Sequence, residues 1–293
     1  NEPWCVAWLG HGLGVHAPGI SDRATAFKVA HHTVLAHATA VNAMRAVRSD
    51  LKIGPVLNQA NYPADDPNDP VQAHASAVLD AVQNRWWMDA IFYGKYPQIL
   101  VDEFGSEFLD AVHPGDMELA QTKNDWLGIN YYFDTRVGAS DSAKTVQFDN
   151  SALLGLTIDS TPEGELTDMG WPITPEGLSG MLIRWHKEFG SQLPQIFITE
   201  NGCAYPDGPN SEGVVDDQRR IAYLEKHLSA LKDAIDAGVN IGGYFQWSLL
   251  DNFEWSLGYQ KRFGIVHVDY NTQKRTPKES ARWYSRVISA NGL

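Results

Sequence analysis

QIFITENG, residues 195–202, is the stretch that decides the fold. Ile196, Phe197, Ile198 and Thr199 favour a strand, Glu200 closes it, and Asn201-Gly202 turns the chain tightly, so the strand presents a carboxylate at its tip. Amphipathic helical patterns flank it at 175–189 and at 216–238, the second ending on Gly238. Further out lie three more short apolar runs: KIGPVLN (52–58), WLGINYY (126–132) and IGGYFQW (241–247). Helical patterns at 22–49, capped by Ser21 or Asp22, at 69–93, opened by Asp69-Pro70, and at 277–290 complete the alternation.

Short apolar strands alternating with amphipathic helices predict a parallel sheet covered by helices, an α/β fold. The strand tips carry Asn58, Asn130 to Tyr132, Glu200 and Trp247. In a (β/α)8 TIM barrel such carboxyl ends all face one mouth. That barrel needs eight strands, whereas this sequence offers four and the stub of a fifth at Asn1-Glu2. The expectation is one domain over 1–293, about the second half of a barrel, from the end of strand 4 through helix 8. Residues 134–170, rich in Ser, Asp, Thr and Gly, read as an excursion over the surface.

The chain of 293 residues carries a net charge of −13 without a Lys/Arg cluster. It therefore lacks the basic face that a nucleic acid or an acidic membrane requires. No apolar run reaches bilayer length. Two cysteines, Cys5 and Cys203, make no disulfide framework and suit a reducing, cytoplasmic setting. His11, His16 and the His31-His32 pair show no metal-ligand spacing, and neither metal nor cofactor is expected. The sequence opens without an initiator Met, which leaves the natural amino terminus expected upstream.

NEPW at 1–4, WLGINYY, TDMGWPITPEGL at 167–178, IFITENG, WSLLDNFEW at 247–255 and YQKRFGIVHVDYNTQKRTPKESARWY at 259–284 follow one another along nearly the whole chain. In these motifs, and in their order, the sequence resembles glycoside hydrolase family 1, the β-glucosidase-like family. The resemblance implies a retaining β-glycosidase acting on a β-glucoside or oligosaccharide, with Glu200 as nucleophile and Glu2 as acid/base. Such chemistry needs two carboxyl groups roughly 5 Å apart, one to attack the anomeric carbon and one to protonate the leaving oxygen. Glu200 is then expected to be ionised and held by hydrogen bonds, and Glu2 to carry the proton.

The remaining assignments follow from the same motifs. Asn1 matches the residue that holds the sugar 2-hydroxyl, Tyr132 the tyrosine that hydrogen-bonds the nucleophile, and Asn130 belongs with Tyr132. Trp247 and Trp255 match tryptophans around the glycone, and Glu254 the acceptor for its distal hydroxyls. Trp171 matches an aromatic at the aglycone entrance, and Phe263 one close to the glycone pocket. Two other readings are a 6-phospho-β-glycosidase, disfavoured because Glu254 would repel a phosphate, and an inactive, truncated sugar-binding fragment. The resemblance also implies an absent amino-terminal half, in the same or a separate chain, or self-association into a homo-oligomer.

Overall fold

The computed structural model describes residues 1–138, 150–156 and 164–293, together with the backbone of 159–161. Most of the 139–163 stretch of the predicted excursion therefore lies outside the described residues. The four apolar runs form one parallel sheet of β1 (Val56–Asn58), β2 (Trp126–Asn130), β5 (Gln195–Asn201) and β6 (Ile241–Gln246), in that order. Strand alternation sorts their side chains. Leu57, Leu127, Ile129, Ile196 and Ile198, almost wholly buried, join the helix residues in the main core. Val56, Gly128, Asn130 and Thr199 take the opposite face.

The helices are α1 (Arg23–Val47), α2 (Pro70–Asp80), α3 (Trp86–Tyr93), α4 (Gln98–Leu109), α5 (Asp116–Ala120), α6 (Pro175–Phe189), α7 (Gln218–Asp236) and α8 (Glu279–Ala290). Asp22 caps α1 by accepting from Thr25 N at 2.7 Å, and Asp69 caps α2 by accepting from Val71 N at 2.9 Å, as the sequence predicts. The single helix expected over 69–93 is divided by a π-helical turn at Ala81–Arg85. The strand expected from Lys52 starts only at Val56, because Pro55 has no N–H to offer the ladder. Short antiparallel pairs, β3 (Arg136–Gly138) with β4 (Asp159–Thr161) and β7 (Val266–Val268) with β8 (Arg275–Pro277), fill connections read as loops.

Behind β5 and β6 lies a buried ionic network. Arg220 and Lys278, neither exposed, face Asp207, Asp217 and Asp251. Arg220 Nη1 donates to Asp217 Oδ2 at 2.6 Å and also to Asp207, while Lys278 Nζ donates to Asp207 Oδ2 and Asp251 Oδ1, each at 3.3 Å. Arg262 Nη1 donates to Asp251 Oδ2 at 2.6 Å, and Asp251 also accepts from the backbone of Gly264 and Val268. Three carboxylates thus meet three cations, and the connections after β5 and β6 are tied to the start of α8.

Candidate active site

The tip of β5 departs from simple alternation. Ile129 of β2 lies opposite Ile198, but Asn130 lies opposite Glu200, so Thr199 is an extra residue and β5 bulges there. Ile196 and Ile198 face the helices, and without the bulge Glu200 would follow them. With it, Asn201 takes the helix side, where its amide donates to Tyr223 of α7 at 3.1 Å, and Glu200 turns to the cavity. Gly202 is required just beyond, since a Cβ there would stand 1.8 Å from the Trp247 carbonyl oxygen.

Glu2 arrives from the other side. Its N–H donates to the Val56 carbonyl at 2.9 Å, which lays the first residues of the chain against β1. Its φ of 46° is left-handed for a non-glycine residue, a strain of the sort found at functional positions. The chain then enters a π-helix, Cys5–Gly12, in a stretch to which the sequence analysis assigns no element.

Asn130 connects the two glutamates. Its Nδ2 donates to Glu2 Oε1 at 2.8 Å and to Asn1 Oδ1 at 3.2 Å, and its Oδ1 accepts from the Thr199 hydroxyl at 2.6 Å. Tyr132, two residues on and on the same face, donates its hydroxyl to Glu200 Oε2 at 2.7 Å. The Glu200 carboxyl is nevertheless pushed up to about 7, first by burial and then by the Glu2 charge, with Glu254 adding to it. Hydrogen bonding from Tyr132 and the neighbouring Asn130 opposes that rise without cancelling it. The hydrogen bonds that the sequence leads one to expect at Glu200 are present, and desolvation and like charge act against them. Burial, followed by the charge of Glu200, holds the Tyr132 hydroxyl far above its ordinary value, so it stays a donor.

All ten residues singled out in the sequence line one cavity of about 580 Å³. Trp171 stacks on Phe133 with ring centroids 5.1 Å apart and lies within 6.0 Å of Phe263. Trp247 follows β6, its N–H donating to the Asn201 carbonyl at 2.9 Å. Burial raises the Glu254 carboxyl, against a hydrogen bond from Asn252, and the Glu2 charge raises it further. Trp255, also left-handed, is 67% exposed at the rim and stacks on His16 at 5.7 Å. Cys5 lines the cavity, whereas Cys203 is buried beside Tyr205 and Tyr223. Gln59, Tyr62 and Gln83 also line the wall and went unread, their polarity being unremarkable without the fold. Among the described residues no group of three His, Cys, Asp or Glu side chains could hold a metal ion, and no helix is long and apolar enough to cross a membrane.

The family described as glycosyl hydrolase family 1 matches the chain over residues 1–293. The chain belongs to glycosyl hydrolase family 1. β-Glucosidase A of Thermotoga maritima is 42% identical over 297 residues, covering 100% of this chain and 63% of that protein. The solved structure of the psychrophilic β-glucosidase BglU from Micrococcus antarcticus superposes with a TM-score of 0.93 at 38% identity, over 100% of this chain and 64% of that one. A 6-phospho-β-galactosidase of Clostridium acetobutylicum is 35% identical over 309 residues, 98% of this chain and 64% of its own. The chain therefore spans somewhat less than two thirds of the family 1 proteins it matches, and its four parallel strands are part of a (β/α)8 barrel.

Proposed function

We propose that the protein containing this chain is a retaining β-glycosidase acting on β-glucosides, with Glu200 as nucleophile and Glu2 as acid/base. The observation that carries this reading is Asn130, opposite Glu200 in the ladder and hydrogen-bonded to Glu2, which places both carboxyl groups on one cavity. A Glu200 oxygen attacks the anomeric carbon while the Glu2 proton passes to the departing oxygen, which keeps the electron pair of the broken C–O bond. Water then gives a proton to Glu2 and its oxygen to the anomeric carbon, releasing Glu200 and restoring the starting configuration. Tyr132 holds the attacking group in place, and Asn1, Trp247, Glu254 and Trp255 receive the sugar. Because Glu200 must be ionised to attack while Glu2 gives up a proton, the pH–activity profile should be bell-shaped, with limbs that belong to the coupled pair rather than to either residue.

An unphosphorylated sugar fits better than a phosphorylated one. The cavity carries three carboxyl groups, Glu2, Glu200 and Glu254, against which a phosphate would be repelled. The neighbouring loop cation, Lys261, already pairs with Asp168 at 3.1 Å. Among the described residues no strand pairs with the outer edge of β6, and Phe245 is 57% exposed, which supports an active species that includes the rest of the barrel.

The test uses a 2-fluoro aryl β-glucoside, which forms the glycosyl-enzyme but slows its hydrolysis. Mass spectrometry of the full-length protein should find one sugar bound to the peptide containing Glu200. A label on another residue, or none while the aryl glucoside is turned over, would sink the assignment.

A further inference from the structure

The two oxygens of Glu2 have unlike partners. Oε1 accepts from the Asn130 amide N–H, and the oxygen of that amide accepts in turn from the Thr199 hydroxyl. Oε2 accepts from the Cys5 thiol, with sulfur and oxygen 3.3 Å apart. The thiol is held there by the backbone: Cys5 N–H donates to the Glu2 carbonyl at 3.0 Å as the π-helix begins. Burial and the adjoining glutamates keep this sulfur protonated, well above its ordinary range.

We propose that Cys5 is a positioning residue for the acid/base, and that the transferable proton of Glu2 resides on Oε2 beside it. The inference rests on the reading of Glu2 as acid/base given above. An amide N–H can only donate. A proton on Oε1 would set O–H against N–H and leave the amide without its acceptor. A proton on Oε2 meets a thiol, and a thiol serves both states of the carboxyl group. It donates S–H to the carboxylate and, after rotation about the Cβ–Sγ bond, accepts from the acid. When the sugar bond breaks, the Oε2–H proton moves to the leaving oxygen as Glu200 bonds to carbon, and the thiol turns to donate. When water attacks, Oε2 takes the water's proton and the thiol turns back. Sulfur itself neither gains nor loses a proton.

The experiment uses the full-length protein and two aryl β-glucosides, one releasing phenol and one releasing dinitrophenol. Phenol needs a proton to leave, whereas dinitrophenol leaves almost unaided, so only the first reports on the acid. Cys5→Ala, and Cys5→Val as a variant that keeps the packing volume, should lower kcat/KM for the phenyl substrate about 3- to 10-fold, the worth of one modest hydrogen bond. The dinitrophenyl substrate should change less than about 2-fold. Cys5→Ser, which both donates and accepts, should restore most of the loss. Equal losses on both substrates would mean a merely structural cysteine, and an unchanged phenyl rate in a variant that melts like wild type would mean no role; either overturns the proposal. A wild-type protein that cleaves neither glucoside removes the underlying reading instead, and this inference with it.

Discussion

Two sets of three carboxylates, sharing the connection after β6, differ in how this chain meets their charge. Asp207, Asp217 and Asp251 are matched by Arg220, Lys278 and Arg262, so burial there is compensated charge for charge. Glu2, Glu200 and Glu254 share a cavity, and among the described residues no Lys or Arg forms an ion pair with any of them. The first set fastens loops. Within this chain the second set is left without cations, and burial with like charge raises the Glu200 and Glu254 carboxyls.

Replacing one member of each set tests that contrast. Glu200→Gln should lower kcat/KM of the full-length protein by about 10⁴-fold or more, as loss of a covalent nucleophile does, while raising the melting temperature near neutral pH by roughly a few degrees, since the buried charge is removed. Lys278→Met should do the reverse to stability: it leaves Asp207 and Asp251 without their shared cation, costing about 3–5 kcal/mol in a thermal or urea melt. A Lys278→Met protein as stable as wild type would show that the network is not what holds the connections.

The smallest effect is on pH dependence. The Glu200 carboxyl rises from 4.5 to about 7 on folding, so the folded state binds this proton more tightly than the unfolded state. Its contribution to stability is therefore present at low pH and lost as pH rises from about 4.5 to about 7. Melting temperatures read across that range should fall for the wild type by roughly a few degrees from this group. Glu200→Gln should flatten that part of the curve. A wild-type curve indistinguishable from the glutamine variant would mean that burial does not strain this carboxyl group.

Much of this was legible in the sequence, for reasons that vary by element. The run 175–189 is helix to the residue, because Pro175 starts it and a single apolar face carries it through to Phe189. The four strands were visible as short apolar runs, and their polar tips marked the mouth. The motifs around Asn1-Glu2, Asn130-Tyr132, Glu200 and Glu254 named residues that do line one cavity. Other features follow from no local pattern. The π-helix at Cys5–Gly12 has the composition of an ordinary helix, and α4 carries a break at Gly105 that blurs its period. The ionic network joins residues from 207 to 278 that only the folded chain brings together. The rise of the Glu200 carboxyl was not legible, because hydrogen-bond partners can be read from a motif whereas the extent of burial cannot.

The bulge at Thr199 carries a consequence for the history of this chain. It works as a phase shift: one additional residue exchanges which of two neighbours looks inward. Straightening the strand at constant length would turn Glu200 toward Tyr223 and Asn201 toward the cavity, whereas deleting Thr199 would leave Glu200 opposite Asn130 and remove only the hydroxyl that donates to the Asn130 amide oxygen. Along this strand a slip of pairing by one residue would be more damaging than many substitutions, because it would preserve the architecture while turning the proposed nucleophile away from the cavity.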